Sequence, residues 1–400
     1  MIGSGSGHRR AGARREHRNP GTTGADARNG AITIGMNASP LENVAWDACP
    51  FEPRSHRELD AYSRRRMGVV NPANRFLGRV PWLARALVDL HPEFGLLMRL
   101  EPPVADILGL VVSQQNSCRY CFAAVRSMMW LQGMDRERIE RIERDLASGD
   151  LPPKTRSLVA YGRSQSRSGP AEAREAWRAL RRAGVAAEEL REAAFTVALT
   201  DFSNRVSTFA AIPPRPFERL PEQWFMKLLR PLVGHLMRRH SERGRSVPPP
   251  EPPPGPFARL VAVYAGSPIA PTLARTLDAM WRSPGLTQRC KLLLFAVVAR
   301  GLPCEVCELE LTEALRDEGL DAATLAGVLT RLDAPCLDAT ERVLLPFARE
   351  TIWYEPAVVQ RRARTLAATL GDEAAIEAIG VTALANALVR MAAVVVEDPT

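Results

Sequence analysis

Cys118-Arg-Tyr-Cys121 and Cys304-Glu-Val-Cys307 stand 186 residues apart, and the residues around them keep the same step. Gly133 and Gly319 follow each first cysteine by 15 positions, and Asp135 and Asp321 by 17. Arg156 and Arg342 recur at 38, Arg163 and Arg349 at 45, with no gap in between. Upstream, Pro81-Trp-Leu83-Ala-Arg85-Ala-Leu87 matches Pro271-Thr-Leu273-Ala-Arg275-Thr-Leu277. Downstream, Asp201 and Arg205 match Asn386 and Arg390 within one residue. A register this long is the mark of a duplicated unit.

The segments between these landmarks read as helices. Val80-Pro-Trp-Leu-Ala-Arg-Ala-Leu-Val-Asp-Leu90 places Pro near a helix start, where its missing N–H costs least. Cys118 to Gln132 runs to Gly133 in the terminal position, and Asp135 is placed to cap the next helix. Lys154–Ser164, Glu172–Arg182 and Ala187–Phe209 complete the first unit, and the same order returns from Phe257 to Val396. Alternating β-branched runs are scarce, so the chain reads as all-α, six or seven helices per unit. The expected organisation is a basic, disordered segment over 1–40, a first helical domain over 70–220, and an amphipathic helix with a Pro-rich linker over 221–256. A second helical domain follows over 257–397. The two domains are expected to form a pseudo-dimer. Ten residues of Pro-rich spacer reach about 30 Å in polyproline II.

Composition narrows the classes. The net charge of +8 is half accounted for by residues 1–30, where six Arg face Glu16 and Asp26. Nearly every cation is Arg, and no nucleic-acid motif is present, so no nucleic-acid partner is expected. No apolar run approaches the roughly 18–20 residues of a membrane span, and no secretion signal is read at the start. A cytoplasmic protein is the expectation, with Met1 or Met36 as the start. Gln223 to His240 mixes Trp224, Phe225, Leu228, Leu229 and Leu232 with Lys227, Arg230, Arg238 and Arg239. It reads either as a membrane-surface helix or as one docked on its own domain.

Seven cysteines without a secretion signal point to redox or metal chemistry. A Cys-x-x-Cys pair opening a helix has a physical logic. The helix N-terminus carries about half a positive charge, which favours a thiolate. The i, i+3 spacing sets both sulfurs on one side of the first turn, so one can resolve what happens at the other. Asn116 or Ser117 is the expected N-cap of the first such helix.

Asp106, followed by Ser113-Gln-Gln-Asn116-Ser-Cys118-Arg-Tyr120-Cys121, resembles the alkylhydroperoxidase D / carboxymuconolactone decarboxylase family, in its peroxidase-related branch. That branch favours an acid twelve positions before the first cysteine, a Ser-x-x-Asn-x-Cys-x-Tyr-Cys run, and a His four positions after the second cysteine. The resemblance covers most of 75–215 and, more faintly, 265–395, with Asp201-Phe-Ser-Asn-Arg205 similar to the family's later Asn/Arg helix. It implies a thiol-dependent, antioxidant peroxidase without cofactor or metal. Cys121 would attack a small hydroperoxide, Cys118 would resolve the sulfenic acid, and Asp106 would relay protons. A dithiol electron donor and a symmetric oligomer are implied as partners.

This chain departs from the pattern. Val125 stands where the family has His, Leu292 where the second unit would have its acid, and Leu311 four positions after Cys307. No histidine follows His240. Cys304 and Cys307 are therefore a second, degenerate site. Arg126 near Cys121, and Glu308 or Glu310 near Cys307, are candidate helpers, while His91 reads as a helix-end residue. Other readings of the cysteines stay open: simple packing, one zinc held by four thiolates, or a non-catalytic helical protein that senses redox state or binds a partner. The zinc reading suits loops better than helix starts. Cys49, Cys290 and Cys336 read as packing residues.

Overall fold

Proline sets where the helices of the first unit begin. The computed structural model describes residues 40–92, 95–144, 151–220, 225–226, 228–232, 235 and 255–397. After α1 (Arg57–Met67) and α2 (Asn74–Leu77), the helix α3 (Pro81–Asp89) opens on Pro81. The next, α4 (Pro102–Gln115), opens on two prolines, whose missing N–H groups fall where a helix has no acceptor for them. Then come α5 (Arg119–Leu131), α6 (Arg136–Arg144), α7 (Pro153–Arg167), α8 (Pro170–Arg182) and the long α9 (Ala187–Phe209), with α10 (Arg215–Glu218) behind it.

The second set repeats the first. It comprises α11 (Ala258–Val263), α12 (Ile269–Arg282), α13 (Gln288–Gly301), α14 (Glu305–Asp317) and α15 (Ala322–Arg331), then α16 (Ala339–Glu350), α17 (Pro356–Leu370) and α18 (Asp372–Val395). The helices α13 and α14 begin and end 186 residues after α4 and α5, and α15, α16 and α17 begin 186 residues after α6, α7 and α8. Asp321 and Asp338 cap α15 and α16 through their side chains, the latter in a reciprocal box with Glu341. Among the described residues there is no strand. The all-α expectation holds, and seven helices of the first set (α3–α9) have counterparts in the second (α12–α18).

The described residues form one compact unit in which α9 and α18 lie against each other at the centre. Around them α4 packs on α9, and α13 on α18. Each set also reaches across, α8 touching α18 and α17 touching α9. Phe195, Phe202 and Phe209 of α9 and Phe347 of α16 are fully buried here. At Gly380 of α18 a methyl group would meet Trp82 and Leu83 of α3 at 3.0 Å, so glycine permits this close approach. The helix α18 is long and apolar enough to cross a membrane by length and composition, yet its apolar stretch is wholly buried in the fold. Its length and hydropathy serve the core.

Two buried carboxylates brace the loops that lead into α4 and α13, the helices that precede the cysteine pairs. Glu192 of α9 accepts the N–H groups of Met98, Arg99 and Leu100 at 2.7–2.8 Å. In the second set Glu377 of α18 accepts from Ser283 Oγ at 2.7 Å and pairs with Lys291 at 3.0 Å. Both are members of the central helices, so the core holds the start of α4 and of α13 in place.

The basic segment before Pro40 and the Pro-rich spacer up to 254 lie outside the described residues. So does much of the amphipathic stretch that follows Leu220. Of its described residues, Phe225, Leu228, Leu229 and Leu232 are exposed. Arg230 donates to the Trp130 and Met134 carbonyls at the end of α5 and lies over the Trp130 ring. That residue ties the stretch to its own unit.

Candidate active site

The turn between α4 and α5 creates the first site. Asn116 ends α4, Ser117 takes a left-handed conformation (φ 52°), and Cys118 resumes extended backbone as the N-cap of α5. A non-glycine residue at positive φ costs on the order of 1–3 kcal/mol, and such residues persist where their surroundings fix them. Here the fixing is dense. Cys118 N–H donates to Ser113 O at 3.0 Å and Ser117 N–H to Gln114 O at 3.0 Å. The Asn116 amide donates to Ser166 Oγ and to Asp201 Oδ1, both at 2.9 Å. The expected N-cap, Asn116 or Ser117, is corrected by one or two residues: the cap is the Cys118 sulfur itself. It accepts the Cys121 N–H at 3.4 Å.

This capping sets the two sulfurs apart in acidity. Burial alone would push the Cys118 thiol up. Hydrogen bonds from the Cys121 side chain, from Thr208 and from the N–H groups of Cys121 and Tyr120 outweigh that, and its pKa falls below the ordinary thiol value. Cys121 moves the other way. Burial raises it first, and its bond to the Cys118 sulfur and that sulfur's charge raise it further, against a 3.5 Å contact with Ser207 Oγ. Cys118 is therefore the more acidic thiol of the pair, and Cys121 the one that keeps its proton to higher pH. Cys118 is fully enclosed and Cys121 is 7% exposed.

The helix α9 forms the wall. Its residues Asp201, Asn204, Arg205, Ser207 and Thr208 face the turn, Asn204 accepting from Ser113 Oγ at 3.1 Å. Asp201 is paired with Arg205. Asp106 is buried on α4. One turn further along α4 from Asp106, Gly109 faces Val125 of α5 and the Thr200 hydroxyl of α9, a methyl group at Gly109 lying 3.6 Å and 3.8 Å from them. Asp106, Gly109 and Ser113 share one face of α4 by helical spacing. The place where the resembled family carries its histidine is filled by the Val125 isopropyl group.

The remaining candidates fall elsewhere. Arg126 does not serve the thiols: it pairs with Glu143 at 2.7 Å and Glu140 at 3.5 Å on α6. Glu308 pairs with Arg300, and Glu310 holds the Phe257 N–H and Arg259. Cys304 and Cys307, both buried at the start of α14, are joined as a disulfide. Cys49 and Cys290 are thiols pushed up by burial, to about 11 and about 12. Among the described residues no cluster of His, Cys, Asp and Glu is arranged to hold a metal.

Sequence reasoning did not find Ser207, Thr208, Ser166 and Tyr354. Thr208 follows Asp201 by seven residues and Ser207 follows Asn204 by three, spacings that return to the same helix face. Tyr354 belongs to the second set, and no local signal links it to Cys118. Its hydroxyl donates to the Asn116 carbonyl at 3.3 Å.

A comparison with protein families bears on the wall of this site. Residues 140–213 match the model of the carboxymuconolactone decarboxylase family. The match spans most of α6 through α9, including the Asp201–Arg205 face, and stops short of the cysteine pair. No curated protein and no solved structure matches the chain.

Proposed function

We propose that Cys118 and Cys121 form a dithiol that reduces hydroperoxides, with Asp106 as the nearby acid and an external dithiol restoring the pair. The observation that carries this reading is the Cys118 sulfur at the N-cap of α5, bound to the Cys121 N–H, a geometry that favours a thiolate in the pair. The Cys121 proton passes to Cys118, uphill against the burial that raises Cys121, so the attacking thiolate is a minor form of the pair. The Cys121 thiolate then attacks the outer peroxide oxygen, the O–O bond breaks, and an alcohol leaves after taking a proton. Cys121 is now a sulfenic acid. Cys118 attacks its sulfur, water departs, and a disulfide remains. The peroxide has gained two electrons and the dithiol has lost two. A dithiol reductant returns them by exchange.

In this reading the second pair is the degenerate partner. Its turn has Leu302 and Pro303 where the first has Asn116 and Ser117, and the ring of Pro303 cannot take the positive φ of Ser117. Two units with one intact site fit the pseudo-dimer, and the packing of α9 on α18 supports that arrangement.

A second reading, a redox sensor that turns over slowly or not at all, is favoured by one observation. Val125 leaves the Cys121 proton without a neighbouring imidazole. General acid–base help is worth about 10²- to 10⁴-fold. Val125→His is therefore expected to raise peroxide consumption at pH 7 by about 10²-fold, Gly109 leaving room for the ring. The check is the rate of peroxide loss with dithiothreitol. A normally folded Val125→His protein that stays at background in that assay would favour the sensor over the peroxidase.

A further inference from the structure

We propose that Tyr354, carried by the second set of helices, is a positioning residue for the Cys118 turn of the first. The proposal rests on the reading of Cys118 and Cys121 as the reactive pair. It adds that the site is completed across the duplication.

The geometry is specific. Tyr354 lies in the loop between α16 and α17 and is buried. Its hydroxyl donates to the Asn116 carbonyl, two residues before Cys118. Its ring stands against two guanidinium groups, Arg167 at 5.4 Å and Arg205 at 5.3 Å, and meets the Phe209 ring edge-on at 5.0 Å. Those neighbours grip the same turn. Arg167 donates to the Gln115 carbonyl at 3.2 Å and to the Tyr354 carbonyl at 3.4 Å. Arg205 pairs with Asp201, which holds the Asn116 amide. Arg205 also donates to the Thr351 and Ile352 carbonyls at 3.3 Å. Ile352 O takes a second bond, from Arg390, at 3.0 Å. The end of α16 is thus fastened to α9, and Tyr354 is delivered to the turn that bends the chain into Cys118.

The duplication supplies an internal control. The position 186 residues before Tyr354 is Ser168, whose side chain has no ring and no reach to the second turn. The second turn has Leu302 for Asn116, and α18 has Asn386 for Asp201. Asn116, Asp201 and Tyr354 are each replaced at the second turn, while Arg205 keeps its counterpart in Arg390. The cysteines of the first pair are thiols and those of the second are a disulfide.

A clamp on the turn has a chemical consequence. Ser117 at positive φ is what points the Cys118 sulfur back at the Cys121 and Tyr120 N–H groups. If the turn relaxes, those donors lose their alignment and the thiolate loses stabilisation.

The test uses the full chain with Cys121→Ser, so that Cys118 titrates alone in its pair. Thiolate absorbance at 240 nm is followed against pH, with the Cys118→Ser, Cys121→Ser protein as blank. Tyr354→Phe keeps the ring and removes the donor. Its Cys118 midpoint is expected to rise by about one pH unit, a tenfold change in the ionisation constant, at an unchanged thermal midpoint. Tyr354→Ala is expected to raise it at least as far and to lower the thermal midpoint as well. Amide hydrogen exchange gives a second readout if Phe weakens the fold. Exchange at residues 117–121 should quicken more than exchange in the α9–α18 core. A Phe titration that superimposes on the wild-type curve, or exchange that quickens equally in the turn and the core, overturns the proposal. Peroxide turnover is measured separately. A wild-type protein that consumes no peroxide while Tyr354→Phe still shifts the midpoint sinks the peroxidase and keeps the clamp.

Discussion

Cys121→Ser is expected to bring peroxide consumption down to the uncatalysed rate, while Cys304→Ser with Cys307→Ser leaves most of it. The first half follows from the disulfide cycle, because without Cys121 there is no sulfur to become the sulfenic acid that Cys118 resolves. The second half follows from the contrast between the two turns. The first is held by Asn116, Asp201, Ser166 and Tyr354, and it presents a thiol pair with a lowered Cys118. The second has Leu302 and Pro303 in its turn and Leu292 in place of Asp106. Peroxide loss with a dithiol reductant is measured on wild type, Cys121→Ser, Cys118→Ser with Cys121→Ser, and Cys304→Ser with Cys307→Ser. Equal loss of turnover in both double variants would contradict the asymmetry. Full turnover in Cys121→Ser would remove Cys121 from the reaction. A rate that rises with pH is also expected, since burial and the Cys118 charge hold the Cys121 thiol well above its ordinary value.

The repeated helix order was legible in the sequence because helix boundaries obey local rules. The offset of the cysteine pairs is the offset of α4 from α13 and of α5 from α14; prolines mark the starts of α4, α7, α8 and α17, and aspartates those of α15 and α16. The dithiol at a helix N-terminus was legible for the same reason. Its refinement was not: Ser117 reads as a good cap, but the chain turns left-handed there and passes the capping role to Cys118. Arg126 was misplaced because a helical wheel gives two neighbours at similar angles. The acids of α6, which took it, are set by how α6 packs. Tyr354 was invisible on principle. It acts on a turn 238 residues away, and its own counterpart is a serine. Contacts that arise only when two copies of a unit meet carry no periodicity in either copy.

The same limit hid a site where stability is exposed to a single change. Lys291 stands one residue before Leu292 on α13, one of three lysines in a chain that otherwise uses arginine. Both Lys291 and Glu377 are completely buried, paired at 3.0 Å. The ammonium also donates to the carbonyls of Met280, at 2.8 Å, and Ser283, closing the end of α12. Glu377 takes further bonds from Ser283 Oγ and, across the duplication, from Trp82 Nε1 at 3.0 Å. Replacing one partner of a buried pair leaves the other charged and unanswered, which costs about 3–5 kcal/mol. Lys291→Met is expected to lose about that much in urea unfolding monitored by circular dichroism, a large share of the 5–15 kcal/mol that holds a typical domain. The cause can be separated from simple loss of packing. Lys291→Met combined with Glu377→Gln removes the stranded charge while keeping an acceptor for Trp82 and Ser283. The double variant should therefore be more stable than Lys291→Met alone. If it is less stable by the sum of the two single losses, the carboxylate is not the penalty. The carbonyls left open at the end of α12 would then be what Lys291 is there to satisfy.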